Sequence, residues 1–311
     1  MEAAGVGTPA LWIGFTAFVL LALLLDLGLF HRHSRTVSIK EATLSSMIWV
    51  ALALLFNAGV YHYLGHQRGL EFFTGYLIEL ALSVDNLFVF LIIFSYFHVP
   101  GHLRHRVLFW GILGAMLMRI IFIVAGTTLL GLFHWLDYVF GAFLIYTGIK
   151  IVFQKETEVD PEMNWLLRFA RRFLRVSKEY HDNKFFVRQA GRGYATPLLL
   201  VLLVVESTDV VFAVDSIPAI FGITRDPFIV YSSNVFAICG LRSLFFLLQG
   251  MMDRFHFLPV GLGLVLTFVG VKMLIEGFRP ISIGLSLAIV ALFLVGSVLA
   301  SLLYKPRGRK S

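Results

Sequence analysis

One cysteine, Cys239, occurs in 311 residues, which excludes a disulfide framework and any cysteine-based metal cluster. It lies in an apolar run and reads as a small buried core residue. Charge is scarce too: Asp, Glu, Lys and Arg make up 14% of the chain and hydrophobic residues 58%, where soluble domains carry about 25% charged residues. So few charges cannot coat a soluble globule of this size, and the mean hydropathy is +0.83. No GxxxxGK[ST] loop is present, which argues against a self-contained ATP-driven pump. HExxH, GxSxG and GxGD are missing as well. The first nine residues hold no Lys or Arg, so they lack the basic region of a secretory signal, and the first apolar run is expected to remain as a helix.

What the chain does have is nine long apolar stretches, each close to the roughly 20 residues that cross a bilayer. Their length and lack of period-two alternation argue against a barrel. The reading is an all-α polytopic membrane protein with about nine transmembrane helices, near 10–30, 44–64, 72–97, 106–131, 133–153, 196–222, 227–250, 257–277 and 281–303. With the N-terminus outside, nineteen Lys and Arg fall in cytoplasmic segments and three, Arg68, Arg225 and Arg279, outside. That asymmetry predicts N-out, C-in, and it accounts for the formal charge of +7 without nucleic acid. Nine of the basic residues sit in the 154–195 loop, where Asn164 to Ser177 is expected to form an amphipathic helix, either on anionic lipid or packed as a linker. His98, His102 and His105, with His31 and His33, read as solvated loop histidines.

A repeat is visible in the order acid, acid, Arg, Gly-x-Lys. Glu79 and Asp85 in helix 3 correspond to Asp209 and Asp215 in helix 6, Arg119 to Arg242, and Lys150 to Lys272. Each unit has three helices, so the second enters the membrane from the opposite side, an arrangement found in secondary transporters. The chain divides into helices 1–2 (1–71), a first repeat of helices 3–5 (72–153), the basic loop (154–195), a second, inverted repeat of helices 6–8 (196–278), and a final helix with a basic tail (279–311).

Five carboxylates lie inside helices 3 and 6: Glu79, Asp85, Glu206, Asp209 and Asp215. At about 2.5 to 3.5 kcal/mol each on insertion scales, they would together rival the stability of a whole domain. They must be paired, protonated or bound to a cation, and Arg119 and Arg242 offset only two of them. The surrounding Ser83, Asn86, Ser207, Thr208, Ser216, Ser232, Ser233 and Asn234 supply oxygen, with no imidazole or useful thiolate at that depth. Such a site suits Mn2+, Ca2+ or Mg2+ better than Zn2+ or Cu2+. On a straight helix Asp215 would point away from Glu206, so a discontinuity is expected between Val211 and Pro218, where the proline withholds a hydrogen bond.

These residues lie in YLIELALSVDNLFVF (Tyr76 to Phe90), VVESTDVVFAVDSIPAIFGITRDPFIVYSSNVFAICGLR (Val204 to Arg242), FGAFLIYTGIKI (Phe140 to Ile151) and YATPLLLVL (Tyr194 to Leu202). The chain resembles the TerC family of integral membrane proteins, in its bacterial TerC and Alx branch, over nearly its whole length. The resemblance implies a protein of the bacterial inner membrane, linked by family name to tellurium resistance, that exports Mn2+ for metal homeostasis. Carried over to this sequence, Glu79, Asp85, Asn86, Glu206, Asp209 and Asp215 would form the ion site. Ser83 and Asn234 would be additional ligands, and Arg119 and Arg242 charge partners. No prosthetic group or catalytic residue is expected; the partners are the metal ion, protons and lipid. Spacing alone leaves Mn2+ and Ca2+ open. Two other readings are a scaffold that helps assemble membrane proteins and an intramembrane aspartyl hydrolase using paired acids.

Overall fold

The structure, a computed structural model, describes residues 6–30, 39–133, 135–153, 167, 172, 174–177, 179–181, 183–189, 192–249, 257–276 and 278–303. At 26–30, 85, 88, 215 and 248 it describes the backbone only. Among the described residues nine long helices carry the fold: α1 (Pro9–Phe30), α2 (Ile39–Tyr63), α3 (His66–Tyr96), α4 (Gly101–Leu132), α5 (Leu136–Phe153), α6 (Pro197–Phe221), α7 (Pro227–Leu248), α8 (Leu258–Ile275) and α9 (Ile283–Leu303). From α2 to α9 all eight are long and apolar enough to cross a membrane, which agrees with the spans read from the sequence.

Local chemistry marks the boundaries. Pro197 and Pro227 open α6 and α7 in the first turn, where no amide bond is lost. Asp226 caps α7, accepting from the amides of Phe228 at 3.0 Å and Ile229 at 3.2 Å. Gly65 takes φ of 99° before α3, a conformation that favours glycine.

α7 is the axis of the bundle and packs against α2, α3 and α4. Val235, Ala237, Phe236 and Phe245 are buried along it, together with polar Ser232, Ser233, Asn234, Arg242 and Ser243, so the helix is enclosed by its neighbours. An aromatic cluster ties α1 to it: Trp12 meets Phe228 edge-on and stacks on Tyr231, and Phe15 touches Phe56, Phe228 and Phe236. Leu55, Leu292 and Leu303 point outward from α2 and α9, where lipid is the solvent.

α5 and α8 pack closely through glycines. A Cβ at Gly148 would lie 2.5 Å from the carbonyl oxygen of Gly263, and one at Gly270 2.6 Å from that of Gly141. Small residues allow such backbone approach between membrane helices.

Three expectations need amendment. α6 runs unbroken through Pro218, so the expected discontinuity is absent. The proline lies in the last turn, so it costs the single bond to the Val214 carbonyl and the helix ends three residues later. The 154–195 loop contains an antiparallel hairpin, β1 (Phe186–Gln189) with β2 (Arg192–Ala195), which sequence reading did not foresee in four-residue strands. Most of the amphipathic helix expected over Asn164–Ser177 lies outside the described residues, as do His31, His33 and the basic tail. At its end, however, Val176 bridges to Ala195 and the Ser177 amide donates to the Ala195 carbonyl at 2.8 Å. Strand pairing has replaced the helix there.

Candidate metal centre

Glu79, Ser83 and Asn86 follow at four and three residues along α3, and so share one face of the helix. All three are buried. Opposite them α4 presents Arg119, as fully buried as Glu79, both at 0% exposure. Its Nη1 lies 2.6 Å from Glu79 Oε1. The same nitrogen donates to Asn234 Oδ1 of α7, and the Asn234 amide donates to the Val230 carbonyl at 2.9 Å. Asn234 therefore orients Arg119, an assignment that spacing could not make.

From α6, Asp209 (5% exposed) comes within electrostatic reach of both Arg119 and Glu79, and Ser216 stands beside Glu79. Glu206, one turn earlier, is half-buried and interacts with Asp209. Its carboxylate rests on Gly114 of α4: a Cβ there would lie 2.1 Å from Oε1 and 2.2 Å from Oε2. Gly114 was not singled out in the sequence, because a seat for a side chain on another helix leaves no local signal.

The described side chains thus bring Glu79 and Asp209 to one guanidinium, with Glu206 beside Asp209, so that carboxyl groups outnumber cations inside the bundle. Asp209 Oδ2, Ser83 Oγ and both Glu79 oxygens are buried without a hydrogen bond, as are Nε and Nη2 of Arg119, so the Glu79–Arg119 contact is an ion pair that leaves acceptors and donors unmet. Unmet oxygen acceptors beside excess negative charge suit a hard cation or protons. Among the described residues no three His, Cys, Asp or Glu converge as a complete ligand group. The side chains of Asp85 and Asp215, two of the six expected ligands, lie outside the described residues. Ser207 is buried on the same helix as Asp209. Arg242 is buried in α7 beside Ser243, whose hydroxyl meets that of Ser45 in α2 at 2.6 Å.

A second polar group sits at the other end of α3. Glu71 accepts from Gln67 at 3.1 Å, Arg68 at 2.8 Å and the Thr224 hydroxyl at 2.7 Å. Sequence reading passed over Glu71 and Asp226. The Asp-Pro pair before an apolar run was a readable cap signal, but its bridge to α3 was not.

Comparison with known proteins agrees with this architecture. The pattern of the "Integral membrane protein TerC family" matches residues 64–309. The chain is 53% identical over 298 residues, 96% of its own length and 93% of the relative's, to "Uncharacterized membrane protein STKORF319" of Myxococcus xanthus. It is 51% identical to "Putative membrane-bound redox modulator Alx" of Salmonella typhi, covering 92% of this chain and 91% of that one. The protein of the same name from Escherichia coli K12 is 49% identical, with 92% of each chain covered. No solved structure matches the chain. With a family pattern spanning most of the helices and relatives at about half identity end to end, the chain belongs to the TerC family of integral membrane proteins.

Proposed function

We propose that this protein is a secondary transporter that exports a divalent cation, Mn2+ in the first place and Ca2+ as the alternative, through the acidic centre between α3, α4 and α6. The observation that carries the proposal is the pairing of Glu79 with Arg119 while Asp209 Oδ2 and Ser83 Oγ stay unmet. One acid is neutralised, and oxygen donors next to it remain available. Asp85, Asn86, Glu206 and Asp215 complete the proposed ligand set on the same two helices.

Burial is graded along α6. Glu206 is half-buried, Asp209 nearly buried and Glu79 beyond it fully so. With the N-terminus outside, α6 starts at the cytoplasmic face, and Glu206 lies about 14 Å along it at 1.5 Å per residue. Glu206 would then receive the ion from the cytoplasm and pass it to Asp209. The same carboxylates take protons when empty, so an inward proton gradient can drive release outside.

An inverted repeat, as the sequence order suggests, would support alternating access. Shifting Gly141 and Gly148 by 122 residues lands on Gly263 and Gly270. The Gly141–Gly270 contact thereby exchanges with the Gly263–Gly148 contact, the exchange that a twofold relation between the repeats requires. Such units rock against each other about a midmembrane site.

The relatives' printed name speaks of redox modulation. With one cysteine, the chain has no thiol pair for dithiol exchange. A redox effect would follow instead from control over a redox-active metal.

Metal uptake into inside-out vesicles tests the proposal, comparing Mn2+ with Ca2+, Mg2+ and Zn2+. Saturable Mn2+ accumulation, abolished in correctly inserted Asp209→Asn, Asp85→Asn and Asp215→Asn variants and responsive to a pH gradient, is the expected result. No accumulation of any divalent ion by folded protein under an imposed proton gradient would overturn it.

A further inference from the structure

At the end where α3 starts and α6 stops, Glu71 of α3 holds the hydroxyl of Thr224 in the α6–α7 connection at 2.7 Å. Thr224 Oγ1 in turn accepts from the Asp226 amide at 3.3 Å. Arg68, on the first turn of α3, bridges Glu71 at 2.8 Å and Asp226 at 3.7 Å. The Val6 amide adds a bond to Asp226 Oδ2 at 2.8 Å, and Lys272 of α8 is buried within electrostatic reach of Glu71 and Glu276. Both carboxylates are buried, and each accepts from at least three donors.

The repeat register supplies the comparison. The shift that takes Asp85 to Asp215 takes Glu71 to Val201, and the shift that takes Arg119 to Arg242 takes Leu103 to Asp226. Neither carboxylate has an acidic counterpart at the opposite end. Lys150, the counterpart of buried Lys272, is exposed. Among the described residues, this network of charge and hydrogen bonds joins the repeats at the end where α3 starts, and its two carboxylates have no acidic counterpart in the other repeat.

We infer that Arg68, Glu71, Thr224 and Asp226 form an outer latch that holds α3 against the α6–α7 connection and must break before the bundle opens to the outside. The inference rests on the transporter reading for its purpose, on the N-out orientation for its side of the membrane, and on the geometry for its contacts. Broken, the latch leaves two buried carboxylates to be rehydrated, which happens only with water entering from the outer face. Its strength sets how rarely the outward-open state is visited.

The test is thiol accessibility, which needs no metal movement. Ser233 of α7 is buried, and a Cβ at Gly75, one turn of α3 inward from Glu71, would lie 3.0 Å from its Oγ. Ser233→Cys in a Cys239→Ala background places a near-isosteric reporter just beneath the latch. A membrane-impermeant cationic methanethiosulfonate is applied to the outer face of right-side-out vesicles. The reporter alone should react slowly. Thr224→Val, which removes one hydroxyl donor to a carboxylate, should raise the rate about tenfold or more, as should Glu71→Gln. If Glu71→Gln fails to fold, Thr224→Val and Arg68→Gln carry the test, since Arg68 is 26% exposed. Unchanged outer reactivity in folded latch variants overturns the latch, and so does an increase confined to the inner face. Faster labelling without metal accumulation keeps the latch and removes the transporter reading; metal accumulation without faster labelling does the reverse.

Discussion

Replacing Gly114 with alanine should separate the function of this protein from its stability. The added methyl would meet Glu206 Oε1 at 2.1 Å and Oε2 at 2.2 Å, so the carboxylate must retreat by more than about 1 Å to reach ordinary contact. A carboxylate on a flexible side chain can make that move, and the helices need not part. Alanine within α4 should itself add about 0.5 to 1 kcal/mol relative to glycine. A charged ligand moved out of reach should cost on the order of 2 kcal/mol of ion affinity, about thirtyfold. Thermal unfolding in detergent and calorimetric Mn2+ titration measure the two effects on one preparation. The expected result is an equal or higher melting temperature with weaker Mn2+ binding, recovered in part by Glu206→Asp, whose shorter side chain restores the space. Folded Gly114→Ala with affinity within twofold of wild type would refute the role of Glu206 at the site. A fall in melting temperature with no recovery by Glu206→Asp would mean that Gly114 serves helix packing alone.

Other expectations follow from the same contacts. Arg119→Met strands the buried carboxylate of Glu79 and should destabilise the fold by about 3 to 5 kcal/mol, most of it recovered by adding Glu79→Gln; denaturant titration of the four species checks the coupling. Gly148→Ala forces a methyl within 2.5 Å of the Gly263 carbonyl and should destabilise by about 1 to 3 kcal/mol. Gly14→Ala and Gly59→Ala, which face open space, should leave the melting temperature equal or higher. In the 154–195 loop, Tyr180 donates to the Phe97 carbonyl at 2.7 Å, and burial pushes its hydroxyl up to about 12. Its ordinary value is about 10, so docking of the loop on the α3–α4 turn should hold below pH 10 and weaken as pH rises toward 12. Tyrosinate absorbance against a Tyr180→Phe control reads this; a Tyr180 signal that titrates near 10 in folded protein would contradict it.

The helices and their number were legible in the sequence because a bilayer imposes a length and a composition on each span separately. No tertiary contact is needed to satisfy the backbone of an apolar run of 20 residues. The acids on α3 and α6 were legible for a related reason: a carboxylate at that depth is costly wherever the helix is placed, so its presence announces a task. The twofold order of acid, arginine and lysine belongs to the chain as well. Partnership was decided only by the fold. Whether Arg119 would meet Glu79 or Asp209, whether Asn234 would face an ion or a guanidinium, and which glycine would seat Glu206 depend on how helices distant in sequence approach and rotate. Apolar periodicity does not specify that rotation when both lipid and neighbouring helices accept the same residues. The Glu71–Thr224 bond was hidden for the same reason, since it joins side chains 153 residues apart. The short hairpin was missed because four-residue strands carry too little pattern to show before they pair. The chain by itself determined that charge would be buried in the membrane; the packing of α3, α4, α6 and α7 decided which charges meet, because electrostatic pairing acts over a few ångströms and only tertiary structure sets those distances.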